Sequence, residues 1–400
     1  MGQCSCRSTT VPSSSGLITE DESSIPLRID FTFTLGMSPF IPTISEVLIA
    51  FAGSSVCQIA LPPLYEQPSN CRVVQLEDIA RLRGLAGEFR IDDAARHAVG
   101  EPIEFPAFLV YLRVTMNLHG CRDVPEEGAL RLIGNIHNLY KVDFSSSNVR
   151  GLGGIEEAAP SLMVLDVSNT GIDALCKSLT RLIRLEELNI ARTRVDAEDL
   201  GFLAELPLKV LSISHTNVST VCLLGASLAT LERLDLSHTQ ISDVASLSKA
   251  TRLKFLSIGG TRVLDVAALA TCVSLTNLIW DNVQPQSDDK GYGGIMLRTD
   301  GIGNISSLTR LNLGHSCVDD IDSLNKLSNL RALSLEDTSV WDLSPLSSCT
   351  SLQELNLQCT PISECTALAG LHNMEYLLLS GTQVQDSDAA ACSSNSKHLG

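Results

Sequence analysis

Apolar residues recur over residues 139–384 in one frame, LxxLxLxxTxI, at steps of about 22 residues. Two clear copies are LERLDLSHTQISDVASL at 231–247 and LKFLSIGGTRVLDVAAL at 253–269. Self-similarity at such a period indicates a stacked array of repeats. Eleven copies share the frame, and we number them as repeats 1–11 and count positions from their first residues, Leu139, Leu162, Leu185, Leu208, Leu231, Leu253, Leu275, Leu308, Leu330, Leu352 and Met374.

Each repeat opens with a pattern that predicts a short strand. In repeat 5, Leu234 and Leu236 alternate with Asp235 and Ser237, which is the period-2 alternation of a strand. One such strand cannot bury its apolar face alone, so we expect successive strands to pair in parallel and share a core. The second half of each repeat supplies the opposite wall, and Asp243 is placed to cap a short helical turn.

Position nine carries a hydroxyl in ten of the eleven repeats. A hydroxyl there can bond the backbone where the chain leaves the strand, and stacking would turn these bonds into a ladder. Val283 interrupts the ladder just before a step of 33 residues, where the other steps are 22 or 23. The position-nine residues are Ser147, Thr170, Thr193, Thr216, Thr239, Thr261, Val283, Ser316, Thr338, Thr360 and Thr382.

The pattern resembles the leucine-rich repeat, specifically the 22-residue type of cytosolic protein phosphatase-1 regulatory subunits and bacterial internalins. Those families mostly carry Asn at position nine. The Thr found here is similar to leucine-rich-repeat proteins of trypanosomatid parasites, some of which are described as adenylate cyclase regulators. The resemblance covers 139–384 and implies an α/β solenoid: a curved right-handed superhelix with a parallel concave β-sheet and short helical or irregular convex segments.

The composition indicates which kinds of partner the protein binds and in which cellular compartment it lies. The net charge of −17 and pI near 4.8 are opposite in sign to a phosphate-binding surface, so we predict no nucleic-acid partner. The thirteen cysteines lack paired spacing, and Cys272 and Cys349 share one small-residue core position, so no disulfide framework is expected. The chain shows no secretory signal, which favours a reducing, cytoplasmic location.

The first 24 residues predict a flexible leader with a candidate acylation site. MGQCSC resembles an N-myristoylation signal at Gly2, with Cys4 and Cys6 placed for palmitoylation, although Cys6 stands where the usual pattern has Ser or Thr. Two anchors would hold the protein peripherally at the inner face of a membrane. The alternative is an unmodified start.

Residues 25–138 form an N-terminal region that includes a capping segment. Between Phe31 and Tyr65 the only charged residue is Glu46; the apolar stretch 47–61 is short for a membrane span and favours buried strands. LEDIARLRGLAGEF, at 76–89, predicts an amphipathic helix, and FLVYLRVTMN, at 108–117, fits a degenerate first strand. Residues 70–138 would therefore cap the solenoid. At the other end, 385–400 drops the pattern and predicts a disordered tail.

The outward positions of the strands are mostly small and polar, so apolar exceptions indicate a binding surface. Val210 and Phe255 at position three and Ile279 at position five are such exceptions. Exposed apolar residues rimmed by polar ones are typical of an interface core. The alternative is that the inserted loop or the N-terminal region covers them.

His215, His238 and His315 all fall at position eight. Stacked neighbours His215 and His238 would lie about 5 Å apart, close enough to share a proton or a metal. No third ligand accompanies them, so we predict no metal site and instead a partner contact, or a simple hydrogen-bonding role beside the ladder.

The long step places an insertion within 283–304. Its glycines and acidic residues predict a mobile loop, either a tolerated surface insertion or a partner contact led by Tyr292 and Met296. GYGG and GIG do not complete a phosphate-binding motif.

No catalytic motif or cofactor motif is present, so we predict that the protein is not an enzyme. The leading hypothesis is a scaffold that binds a protein partner on the concave face. The alternative is a regulatory subunit of one signalling enzyme, a protein phosphatase or an adenylate cyclase, by resemblance to the two repeat types. A third class, an extracellular adhesin, would make the sequons at Asn217 and Asn304 usable, but the missing signal disfavours it.

Overall fold

A computed structural model describes residues 28–35, 56–60, 112–117, 119–120, 139–158, 161–283, 297–385 and 398–399. These residues form a single open sheet of 15 strands in the order β15-β14-β13-β12-β11-β10-β9-β8-β7-β6-β5-β4-β3-β1-β2. The strands are β1 Arg28–Leu35, β2 Val56–Ala60, β3 Leu112–Asn117, β4 Leu139–Asp143, β5 Val164–Asp166, β6 Glu187–Asn189, β7 Val210–Ser212, β8 Arg233–Asp235, β9 Phe255–Ser257, β10 Asn277–Ile279, β11 Arg310–Asn312, β12 Ala332–Ser334, β13 Glu354–Asn356, β14 Tyr376–Leu378 and β15 His398–Leu399.

Strands β4–β14 are the eleven repeat strands, and each pairs in parallel with its neighbours. Their register matches equal positions, so Leu234 lies opposite both Leu211 and Leu256. The predicted solenoid with a parallel sheet is therefore confirmed. Equal register stacks each apolar position into one continuous row of buried side chains, because a strand presents alternate residues to one face.

Short helices return the chain along the convex side. They are α1 Ile155–Ala158 and the 3-10 helices η1 Lys177–Arg181, η2 Asp199–Leu203, η3 Cys222–Ala229, η4 Ala245–Lys249, η5 Ala267–Thr271, η6 Thr299–Asn304, η7 Asp322–Lys326, η8 Ser344–Ser348 and η9 Thr366–Leu368. Asp243 accepts a hydrogen bond from the Ala245 N–H at 2.8 Å, which confirms the predicted role at the start of the turn. Asp265, Asp320 and Asp342 accept equivalent bonds.

Two buried thiols fill the convex wall of the core. The Cys272 and Cys349 S–H groups donate to the carbonyls of Leu247 and Leu324, and burial raises the pKa of each thiol to about 11. Both therefore behave as small apolar residues. Cys365 is disulfide-bonded, whereas Cys176, Cys222, Cys272, Cys317, Cys349 and Cys359 are free. At Cys365 the structure departs from the sequence prediction of unpaired thiols.

Each strand ends in the same left-handed turn. Position eight has φ between 52° and 78° in all eleven repeats, although nine of these residues are not glycine. At this residue the backbone still pairs with the next repeat; for example, the His215 N–H donates to the Ser237 carbonyl at 2.9 Å. The position-nine hydroxyl then donates to the position-six carbonyl of its own repeat, at 2.6–2.8 Å, from Thr170, Thr193, Thr216, Thr239, Thr261, Thr338, Thr360 and Thr382.

Repeat 7 lacks the hydroxyl-to-carbonyl bond at position nine and has a different hydrogen bond there. Val283 has no hydroxyl, and its N–H instead donates to Ser316 Oγ of repeat 8 at 3.2 Å. Trp280 is fully buried at position six, and its indole N–H donates to the Val263 carbonyl at 3.0 Å. The chain rejoins the core at the buried Leu297. Residues 284–296, with Tyr292 and Met296, lie outside the described residues.

The N-terminal strands extend the sheet beyond repeat 1. β3 pairs in parallel with β4, which confirms the degenerate strand predicted within 108–117. β1 pairs antiparallel with β3 and parallel with β2, and β2 falls inside the apolar stretch 47–61, where strands were favoured over a span. Across the described ranges, no helix combines the length and apolar character that crossing a bilayer requires.

Several predicted segments fall outside the described residues: the leader with Gly2, Cys4 and Cys6, the amphipathic helix at 76–89, and most of the tail. Within the tail, His398–Leu399 forms β15 and pairs in parallel with β14. The sequence did not predict this strand.

Candidate partner-binding surface

A groove of about 760 Å³ lies on the concave face over strands β9–β14. Most of its lining residues come from positions three and five, because these positions point away from the core; the position-four residues Leu278, Leu311, Leu333 and Leu355 also line it. Phe255 and Ile279 line one end, and Tyr376 and Leu378 line the other. Among the eleven repeats, position five is apolar only at Ile279 and Leu378 and is polar in the nine others. Both apolar residues at this position therefore line the groove.

Phe255 is held in place by its neighbour on β8. The Arg233 guanidinium carbon lies 4.4 Å from the centroid of the Phe255 ring, which is a cation–π contact. Phe255 is half-buried, so the rest of the ring faces the groove. The contact favours one orientation of the ring before a partner binds, which reduces the entropy lost on binding.

An ion pair spans the middle of the groove. Arg310 on β11 and Glu354 on β13 meet at 3.1 Å across the small Ala332 of the strand between them. Both side chains are about half exposed, at 56% and 47%. Exposed pairs of this kind contribute at most about 1 kcal/mol, so a partner can displace either group at low cost.

Polar side chains beside the groove are hydrogen-bonded to one another. The Asn312 amide donates to Asp281 Oδ2 at 2.9 Å, and the Asn356 amide donates to Glu336 at 2.9 Å. Gly259 makes room for Asp281, since a Cβ built on Gly259 would lie 1.9 Å from Asp281 Oδ1. These polar groups already have hydrogen-bond partners, so they order the surface. The apolar side chains are then the groups that a binding partner would cover.

The structure brings together only some of the residues singled out from sequence. Phe255 and Ile279 line the same groove, whereas Val210 lies on β7, two strands from Phe255, and does not line it. His315 is separate from the other two histidines and contacts Asp337 at 3.2 Å. Partner binding by all of these residues stays a prediction, as it does for Tyr292 and Met296.

His215 and His238 stack face to face, with ring centroids 4.3 Å apart and planes inclined by 16°. Both occupy the left-handed turn position, which sequence reasoning did not identify. In the part of the chain that the structure describes, no three His, Cys, Asp or Glu side chains are grouped closely enough to hold a metal ion.

The sequence analysis missed the central ion pair and did not place Tyr376 and Leu378 in the same groove as Phe255. Arg310, Ala332 and Glu354 occupy position three of three consecutive repeats. A tabulation of this position down the stack would show an Arg and a Glu separated by one small residue. That signal was present in the sequence.

Comparison with known proteins identifies the repeats. Residues 328–370 match a family described as Leucine Rich repeats (2 copies), and residues 227–245 match a family described as Leucine Rich repeat. No curated protein matches the chain.

Solved structures include two internalins that are similar to this chain. An internalin, InlF, from Listeria monocytogenes is 20% identical, with a TM-score of 0.57, over 72% of this chain and 87% of that one. Internalin C2 of the same organism is 27% identical, with a TM-score of 0.41, over 51% of this chain and 83% of that one. The similarity to InlF shows a shared fold, and it says nothing about the activity or the partner of this chain.

Proposed function

We propose that this leucine-rich-repeat protein is a non-catalytic interaction protein that binds a segment of a partner protein in the groove over β9–β14. The observation that carries the proposal is the grouping of Phe255, Ile279 and Leu378, apolar at positions that are mostly polar elsewhere in the array, on one concave surface. Apolar side chains that a protein leaves uncovered within one groove, with polar groups between them, are typical of binding sites.

The dimensions of the groove favour a polypeptide segment over a small molecule. It crosses six strands, so its length is about five strand spacings, or roughly 24 Å. That length matches about 16 residues of a helix or about seven residues of an extended chain. A fitting segment would carry apolar side chains near both ends and polar groups opposite Arg310 and Glu354 in the middle.

Two finer proposals rest on the sequence alone. Acylation at Gly2 and at Cys4 or Cys6 would place the protein peripherally at the cytoplasmic face of a membrane. The mass of the N-terminal peptide from native cells tests this, and an unmodified Gly2 removes the proposal. A single phosphatase or cyclase as partner, the regulatory-subunit alternative, is supported only by resemblance to the two repeat types.

Affinity capture from native cells tests the groove. We expect Phe255→Arg to lose the principal partner, because it places a second cation beside Arg233 and removes the apolar ring. The matched control is Val273→Arg, at an apolar residue that is 72% exposed and does not line the groove. Quantitative mass spectrometry should find the partner on the control and not on Phe255→Arg.

Circular dichroism should show that both variants remain folded. A partner retained equally by both variants binds elsewhere, and the groove proposal is then wrong for that partner. The same experiment separates the two functional alternatives: one enzyme recovered at a fixed ratio indicates a regulatory subunit, whereas several partners indicate a scaffold.

A further inference from the structure

A row of cationic and histidine side chains follows one edge of the sheet, where the strands of repeats 3–6 end. We call it the basic edge; it consists of Arg192, Arg194, His215, His238 and Arg262, at positions eight and ten of these repeats. All five side chains are exposed. Neighbouring repeats lie about 4.8 Å apart, so the row spans roughly 14 Å. It stands out on a chain whose net charge is −17.

The arginines of the basic edge have no acidic partners among the described residues. Two lysines of the same repeats, in contrast, have acidic partners: Lys209 pairs with Glu186 at 2.7 Å and Lys254 pairs with Glu232 at 2.6 Å. Positions eight to eleven of repeats 3–6 read RTRV, HTNV, HTQI and GTRV, without one acid. An acidic chain has ample carboxylates to neutralise these arginines, so their absence here leaves a local positive charge facing solvent.

The histidines are stacked into the same row. Arg192 Nη2 lies 3.3 Å from His215 Nε2, and His215 stacks on His238 at 4.3 Å. The His238 ring in turn lies over Gly260, since a Cβ there would be 2.5 Å from its Nδ1. The residues of the row are therefore in contact from Arg192 to Gly260, and both histidines remain exposed.

The surroundings of His215 oppose its protonation. Burial, together with the positive charges of His238 and Arg192, lowers the pKa of His215, while Asp235 alone opposes this effect. A bound anion would reverse the balance, because it stabilises the protonated rings. Anion binding and histidine protonation are therefore coupled at this edge.

We propose that the basic edge is a second interaction site that binds a short acidic segment, rich in Asp and Glu, of a protein partner. This proposal does not depend on the groove. A short segment fits because a row of roughly 14 Å matches about four extended residues. Nucleic acid or an anionic membrane would extend well past the row. Its charges would then come within roughly 8 Å, the distance over which salt leaves charge unscreened, of the acidic remainder of the surface, which repels them.

Fluorescence anisotropy with a labelled hexaglutamate peptide and the full-length protein tests the proposal. One variant replaces the three arginines of the basic edge with glutamine. The control replaces three other exposed arginines, Arg181, Arg184 and Arg331, so that both variants have the same net charge. At low salt we expect about tenfold weaker binding in the first variant and less than twofold change in the control.

The histidines add a pH dependence. Peptide carboxylates stay ionised at about pH 6, while the imidazoles gain protons, so affinity should rise about threefold between about pH 7.5 and pH 6. His215→Asn with His238→Asn should abolish this rise, and Asn tolerates the left-handed conformation of both residues. In NMR titrations of the wild type, the peptide should raise the pKa of His215.

Three results would overturn the proposal. The first is equal weakening in the two arginine variants, which would assign binding to overall charge. The second is stronger binding of duplex DNA, or of vesicles containing phosphatidylserine, than of the peptide. The third is no detectable peptide binding by the wild type at low salt. Circular dichroism of each variant establishes that the fold is kept.

Discussion

Replacing Trp280 with alanine should lower the free energy of unfolding by about 3–5 kcal/mol. The side chain is fully buried at the repeat that carries the insertion, and its indole N–H bonds the Val263 carbonyl of the preceding repeat. Alanine would leave a cavity and also an unpaired buried carbonyl. Urea unfolding followed by circular dichroism measures the change.

Trp280→Phe is the matched control for this prediction. It keeps most of the ring volume and loses only the indole N–H, so its cost should be clearly smaller than that of alanine. A cost below about 1 kcal/mol for Trp280→Ala would show that repeat 7 is not packed as described.

The largest effect on binding is expected from Ile279→Arg combined with Leu378→Arg. These are the two apolar residues at position five, near opposite ends of the groove. Two arginines would place charge against the apolar surface of the partner, and we expect affinity to fall by at least about a hundredfold, or about 3 kcal/mol. Titration calorimetry against the captured partner measures the loss.

The control for this pair is Ile183→Arg with Val273→Arg. Both residues are apolar and 72% exposed, and neither lines the groove. This variant carries the same added charge and should bind within about twofold of the wild type. If the two double variants weaken binding equally, overall charge explains the loss and the groove does not.

The fold could be predicted from the sequence because the residues that repeat every 22 positions are the buried ones. The positions that must be apolar, such as Leu234 and Leu236, are the ones that stacking buries, so the frame predicts both the strands and their equal register. The Thr hydroxyls also followed from position alone. Their bonds stay within one repeat, and the ladder between repeats is made by the backbone.

The left-handed turn was not predicted, although position eight carries a partial signal for it: five of its eleven residues are Gly, Asn or Asp, which adopt positive φ readily. Arg192 and Cys359 have no such preference, yet they adopt φ of 58° and 57°. The conformation is imposed by pairing: the position-eight N–H reaches the next repeat while the position-nine hydroxyl reaches back to position six. Tertiary hydrogen bonds here outweigh the local backbone preference.

The groove was predicted in part. Phe255 and Ile279 were identified because each breaks the polar pattern locally. Leu378 breaks the same pattern. Its place at the other end of the groove from Phe255 and Ile279 depends on how the sheet curves between β9 and β14. The basic edge was missed for a related reason: its arginines occupy two different positions of the repeat, and only stacking brings them into one row.

Site-specific photocrosslinking in native cells tests the central claim most directly. A photoreactive phenylalanine analogue placed at residue 279 probes the groove, and the same analogue at residue 273 probes an exposed site that does not line it. The account predicts a crosslinked partner from residue 279 and none from residue 273. Crosslinking of the partner from residue 273 alone would contradict the claim that the concave groove is the binding site.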